Sequence, residues 1–74
     1  MDIEFDPAKN ERNIRERGLS FETVADFDFE TALILRDERH SHREPRMRAL
    51  GYIGDRLHAL VFTIRGERLR VISL

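Results

Sequence analysis

The spacing of apolar residues along this chain changes near residue 32. Before that point Ile3 and Phe5 alternate with acidic residues, the period of a short strand over residues 3–5. Asp6-Pro7 then supplies a side-chain acceptor at a cap position and a proline at the first helical position, which predicts a helix through residues 8–17. Gly18 closes it with a residue free to turn left-handed. Ser20 caps a second, shorter helix carrying Phe21, Val24, Ala25 and Phe27. From Ala32 onward the period falls to two, β-branched residues appear, and the pattern predicts strands at residues 32–36, 46–53, 56–64 and 67–74.

Helices followed by a run of strands predict an α+β domain, with two N-terminal helices packed on one face of an antiparallel sheet. No repeat, linker or low-complexity tract interrupts the sequence, so residues 1–74 read as a single domain.

Two turn signals refine that sheet. If Gly54-Asp55 and Arg65-Gly66 are two-residue hairpin loops, register follows from loop length. Met47, Phe62 and Leu69 then form one rung, and Ala49, Leu60 and Val71 the next, all on one apolar face. The opposite face carries Arg46, Thr63 and Arg68, then Arg48, Val61 and Arg70. Further along it come Leu50, Ala59 and Ile72, then Tyr52, Leu57 and Leu74. Leu50, Leu57, Ile72 and Leu74 are therefore expected to form an apolar patch that a partner covers, either another protein or a second copy.

Composition narrows the functional classes. A chain of 74 residues buries only about 60% of the surface exposed by its unfolded form, so its stability margin is thin. Charged residues make up 36%, but 13 Lys plus Arg face 14 Asp plus Glu, so no overall basic field announces a nucleic-acid binder. Lys9 is the one lysine; the other twelve cations are arginines, whose planar fork suits bidentate phosphate contacts. With no cysteine, neither a disulfide nor a thiolate metal site is available. There is no signal-like N-terminus and no apolar run approaching the roughly 20 residues that span a bilayer, so a soluble, cytoplasmic protein with no membrane association is expected.

Four arginines on two adjacent rungs repel one another unless anions sit among them. RNA phosphates fit, because guanidinium groups both grip the backbone and stabilise the charge that builds on phosphorus when a 2′-hydroxyl attacks. The plainer alternative is a solvated face whose arginines pair with Glu44, Glu67 or Asp55. Residues 37–45 form a polar connection in which His40 is a candidate general acid or base, since imidazole titrates near neutrality. Two imidazoles, His40 and His42, without a nearby carboxylate triad are a weak signal for a metal site, so neither metal nor cofactor is expected. His58 falls in the core phase and reads as structural. On the first helix Lys9 and Asn13 share a face that can meet RNA, a partner or only solvent.

Several segments together resemble a known family. Glu4-Phe5-Asp6-Pro7-Ala8-Lys9, then Asn13 and Arg17-Gly18-Leu19-Ser20-Phe21-Glu22, are similar to the opening of the BrnT ribonuclease toxins. Asp37 with His40-Ser41, Glu44 with Arg46, Gly51, and the run from Arg68 to Ser73 follow in the same order. The resemblance implies a RelE-like fold, a metal-independent endoribonuclease that arrests translation, and a BrnA-like antitoxin that neutralises it. Carried over position by position, it implies Lys9, His40, Arg46 and Arg70 as catalytic residues, beside Arg48 and Arg68 as RNA-binding ones. Arg17 stands where many relatives have histidine, which removes one acid or base. The family's usual C-terminal segment, with its basic helix, is expected to be absent here, since the sequence ends at Leu74. A non-catalytic module that binds antitoxin or self-associates, as a homodimer for instance, is the alternative.

Overall fold

The computed structural model describes residues 1–38 and 44–74. Its elements are β1 (Asp2–Phe5), α1 (Pro7–Arg17), a 3₁₀ helix (Phe21–Asp26), β2 (Leu33–Arg36), β3 (Met47–Ile53), β4 (Arg56–Arg65) and β5 (Arg68–Ser73). The five strands form one sheet in the order β1-β5-β4-β3-β2. β2 to β5 are an antiparallel meander, but β1 runs parallel to β5, with Asp2 beside Arg68 and Phe5 beside Val71. The sheet is therefore mixed rather than antiparallel throughout.

The helical layer also departs from expectation. Phe21, Val24 and Phe27 recur every three residues, and in a helix of three residues per turn they stack on one line. All three are buried, which explains why this segment is a 3₁₀ helix rather than an α-helix. α1 buries none of its residues, because Ile14, its one large apolar side chain, remains 39% exposed. Polar bonds hold it in place. Asp6 Oδ1 accepts from the Ala8 amide at 2.9 Å, Asn10 Oδ1 from the Phe21 amide at 2.7 Å, and Asn13 Nδ2 donates to the Leu19 carbonyl at 3.0 Å. Gly18, at φ 68°, ends the helix.

The β3–β4 register follows the sequence: Met47 faces Phe62 and Ala49 faces Leu60 across the Gly54-Asp55 turn. The next hairpin does not. Its loop is Gly66-Glu67 and its closing pair is Arg65 with Arg68, so Phe62 faces Val71 and Thr63 faces Arg70. The cause is the hand of the turn. Tight hairpin loops need a positive φ at their first residue, which Gly66 adopts at 60° and an arginine resists. The slip is two residues, so every side chain keeps its face.

One bulge reverses that parity at the end of β5. Phe62 pairs with Val71 but Val61 pairs with Ser73, leaving Ile72 as the extra residue. Leu74, just past the strand, is 5% exposed at the wall of a cleft of about 420 Å³ that it shares with Leu33, Leu35 and Leu50, and Ile72 is half-buried. The expected exposed patch thus loses Leu74. What remains exposed on the open face is Leu33, Leu35, Leu50, Tyr52 and Leu57.

The core lies between the other face and the 3₁₀ helix. Leu60 is fully buried among Phe21, Val24, Ala49, Phe62 and Val71, and Phe5 meets Phe21 edge-on with ring centroids 5.7 Å apart. Gly51 is needed here because a Cβ at that position would lie 2.6 Å from the Phe27 ring and 2.9 Å from the Ala32 methyl. Gly51→Ala should therefore cost about 1–3 kcal/mol through overpacking, measurable as a lower urea midpoint with an unchanged slope. Among the described residues no helix is long and apolar enough to cross a membrane.

Candidate nucleic-acid interface

Strand alternation puts Arg48, Arg65, Arg68 and Arg70 on the open face, with Arg46 immediately before β3 in the same phase. The rungs differ from those written from the turns. Thr63 faces Arg70 on one side, and on the other its hydroxyl donates to the Pro45 carbonyl at 2.6 Å, fixing the chain where it enters Arg46. Arg46 and Arg70 therefore flank a buried Thr63. Two strand spacings separate them, about 10 Å between backbones, which long guanidinium side chains bridge readily. Arg48 lies on the adjacent rung beside Val61, and Arg68 beside Arg65.

Acids enter the same face. Arg70 Nη1 donates to Glu4 Oε2 at 2.8 Å, across the parallel β1–β5 pair. Arg65 grips Glu44 with both a 2.7 Å and a 3.0 Å bond, and Arg48 Nε lies 4.0 Å from the buried Asp37 carboxylate. Arg46 and Arg68 make no ion pair with any described residue. The Arg46 Nε is moreover buried with no hydrogen-bond partner among the described residues, a costly state for a charged group. The arrangement lies between the two sequence readings, with part of the cluster neutralised and part held for an anion.

The fields of these groups meet at Glu44. Its bond to Arg65, then the nearby charges of Arg65, Arg46 and Arg70, hold its carboxyl below the ordinary glutamate range, and Glu44 in turn raises Arg65. A depressed carboxyl adds stability above its unfolded pKa and loses it as pH falls through the folded value. Arg65→Ala should move the Glu44 titration upward toward normal, read by carboxyl carbon NMR.

Lys9 lies apart from the rungs, lining a cleft of about 280 Å³ with Arg12, Asn13, Glu16, Phe21, Ile72 and Ser73. His40 lies outside the described residues. Among the described residues no group of three or more His, Asp or Glu side chains is placed to hold a metal ion. Sequence reasoning passed over Arg65 and Glu4. Alternation gave a signal for both, since Arg65 continues the phase of Thr63, and Glu4 opposes the apolar Ile3 and Phe5.

The profile of the family described as the ribonuclease toxin BrnT of type II toxin-antitoxin systems matches residues 5–74, nearly the whole sequence. This chain belongs to the BrnT family. It is thus a type II toxin-antitoxin ribonuclease toxin by family, a class that implies an antitoxin partner and an RNA target. No curated protein and no solved structure matches it. Within the BrnT match lie Arg46 and Arg70 with their neighbours, and also β2, the strand farthest from Arg70 in the sheet.

Proposed function

We propose that this chain is a cytoplasmic endoribonuclease that cuts RNA without a metal ion, and that a BrnA-like antitoxin neutralises it by covering the open sheet face around Leu50 and Leu57. Arg46, Arg48 and Arg70 hold the scissile phosphate, and Arg68 steers the flanking backbone. The 2′-hydroxyl attacks the adjacent phosphorus, the 5′-oxygen leaves, and a cyclic phosphate remains on the upstream fragment. Lys9 or His40 assists the proton transfers, and the arginines stabilise the added charge on the phosphoryl oxygens.

The observation that carries this reading is the buried, unpartnered Arg46 Nε next to Thr63 and Arg70. A phosphate oxygen is an acceptor that satisfies such a donor. Incubating the purified chain with RNA in excess chelator should yield fragments ending in cyclic phosphate, and antitoxin should suppress them. The Glu4–Arg70 ion pair favours a second reading, a module that binds antitoxin without cutting, because it occupies one of the guanidiniums the chemistry requires. Antitoxin binding with intact RNA in that assay would select the second reading.

A further inference from the structure

The two edges of the sheet are not alike. β1, at one edge, alternates Asp2 and Glu4 with apolar residues, the usual charged protection of an exposed edge. β2, at the other, reads Leu33-Ile34-Leu35-Arg36, and all four residues are exposed. Both faces of this strand are apolar: Leu33 and Leu35 look to the open side, 57% and 49% exposed, and Ile34 to the core side, 39% exposed. From Ala32 to Leu35 there is neither a charge nor a proline to discourage another strand.

The backbone is aimed outward at alternate positions. The Asp37 amide donates to the Arg46 carbonyl at 2.8 Å, which marks Asp37, and by alternation Leu35 and Leu33, as the residues bonded inward to β3. Ala32, Ile34 and Arg36 therefore direct their amides and carbonyls away from the sheet, where no described residue meets them.

We propose that this edge pairs with the same edge of a second copy of the chain, antiparallel about a two-fold axis at Ile34, to make a continuous ten-stranded sheet. A two-fold pairing requires a segment complementary to itself, and residues 32–36 are. Ile34 of each copy faces Ile34 of the other, Leu33 faces Leu35, and Ala32 faces Arg36. All the outward backbone groups find partners, about six hydrogen bonds in all. Between residues 32 and 36 no like charges meet directly. Arg36, which pairs with its own Glu38 at 3.5 Å, also falls diagonal to Glu30 of the other copy, and it stands between that Glu30 and Glu38, which the register sets opposite each other. Leu33 and Leu35 of both copies then join in one apolar strip across the axis. Thr63 and Arg70 lie on strands beyond β3, whereas Arg46 adjoins Asp37 and Arg48 faces Leu35, so the pairing is read from mass and amide exchange and not from RNA cleavage.

Ile34→Pro tests the pairing, since it deletes an amide that the folded monomer does not use and proline is tolerated on an edge whose amide faces outward. Sedimentation at hundreds of micromolar should give twice the 8.8 kDa mass of one chain for the native protein and a single mass for Ile34→Pro, whose circular dichroism stays native. Should Ile34→Pro fail to fold, amide exchange of the native chain decides instead. The Ile34 and Arg36 amides should exchange more slowly as concentration rises, and the Leu33 and Leu35 amides should not change. A native chain that stays monomeric at these concentrations overturns the proposal, as does a folded Ile34→Pro that remains dimeric or an Ile34 amide whose exchange ignores concentration.

Discussion

Replacing Arg46 and Arg70 together with alanine should lower the rate of RNA cleavage by on the order of a thousand-fold or more and relieve growth arrest, with the fold intact. Removing one preorganised donor to a developing negative charge typically costs about a hundred- to a thousand-fold in rate. The two guanidiniums flank the same buried Thr63, so an RNA phosphate between them loses both grips at once. Structural damage is small in comparison. The Glu4–Arg70 pair is a quarter exposed on both sides, and pairs of that kind contribute about 1 kcal/mol or less. Losing Arg46 also removes an unsatisfied buried donor, which offsets part of the loss. A thermal midpoint within a few degrees of native, together with lost cleavage, is the expected pair of results. Native cleavage by the folded double variant would remove these arginines from the mechanism.

Leu60→Ala should have the largest effect on stability. Leu60 is fully buried at the centre of β4, where the sheet meets the 3₁₀ helix, and its truncation leaves a cavity among the buried core residues. Such truncations cost about 2–5 kcal/mol. For a domain of this size that corresponds to a fall in melting temperature of roughly 10–25 °C, a large share of the stability a short chain possesses. Thermal denaturation followed by circular dichroism measures it, and a fall of under about 4 °C would mean that the core is not centred on Leu60.

Much of the sheet was legible in the sequence because alternation is a local property. Met47, Ala49, Leu60 and Phe62 sort to one face and Arg46, Arg48 and Thr63 to the other on period alone, and the β3–β4 register needed only the Gly54-Asp55 turn. The next register failed on one residue of turn chemistry, the choice between Arg65 and Gly66 as the left-handed position. The faces survived only because the slip was even. The bulge at Ile72 leaves no trace in the apolar pattern, so the burial of Leu74 was hidden. The helix signals at Asp6, Gly18 and Ser20 were correct as caps, but caps say nothing of what a helix packs against, and α1 has too few apolar residues to pack on anything.

Only part of the candidate site was legible. Clustering of arginines followed from strand phase, and Arg46 and Arg70 turned out closer in register than the turns implied. Their acidic neighbours did not follow. The Glu4–Arg70 pair joins positions 66 residues apart through a parallel strand pairing that no local signal encodes. Lys9 belongs to α1 and lines a separate cleft, so a part in proton transfer requires its ammonium to reach the reacting oxygens of the phosphate held by Arg46 and Arg70.

RNA cleavage at this site requires an anion to meet the Arg46 Nε. Its proton can be followed directly by nitrogen-15 NMR of the arginine side chains while a 2′-O-methyl oligonucleotide, which binds but lacks the attacking hydroxyl, is added. The Arg46 Nε–H resonance should shift downfield, saturate with the oligonucleotide, and move together with that of Arg70. An oligonucleotide that binds while the Arg46 resonance stays in place would contradict that requirement.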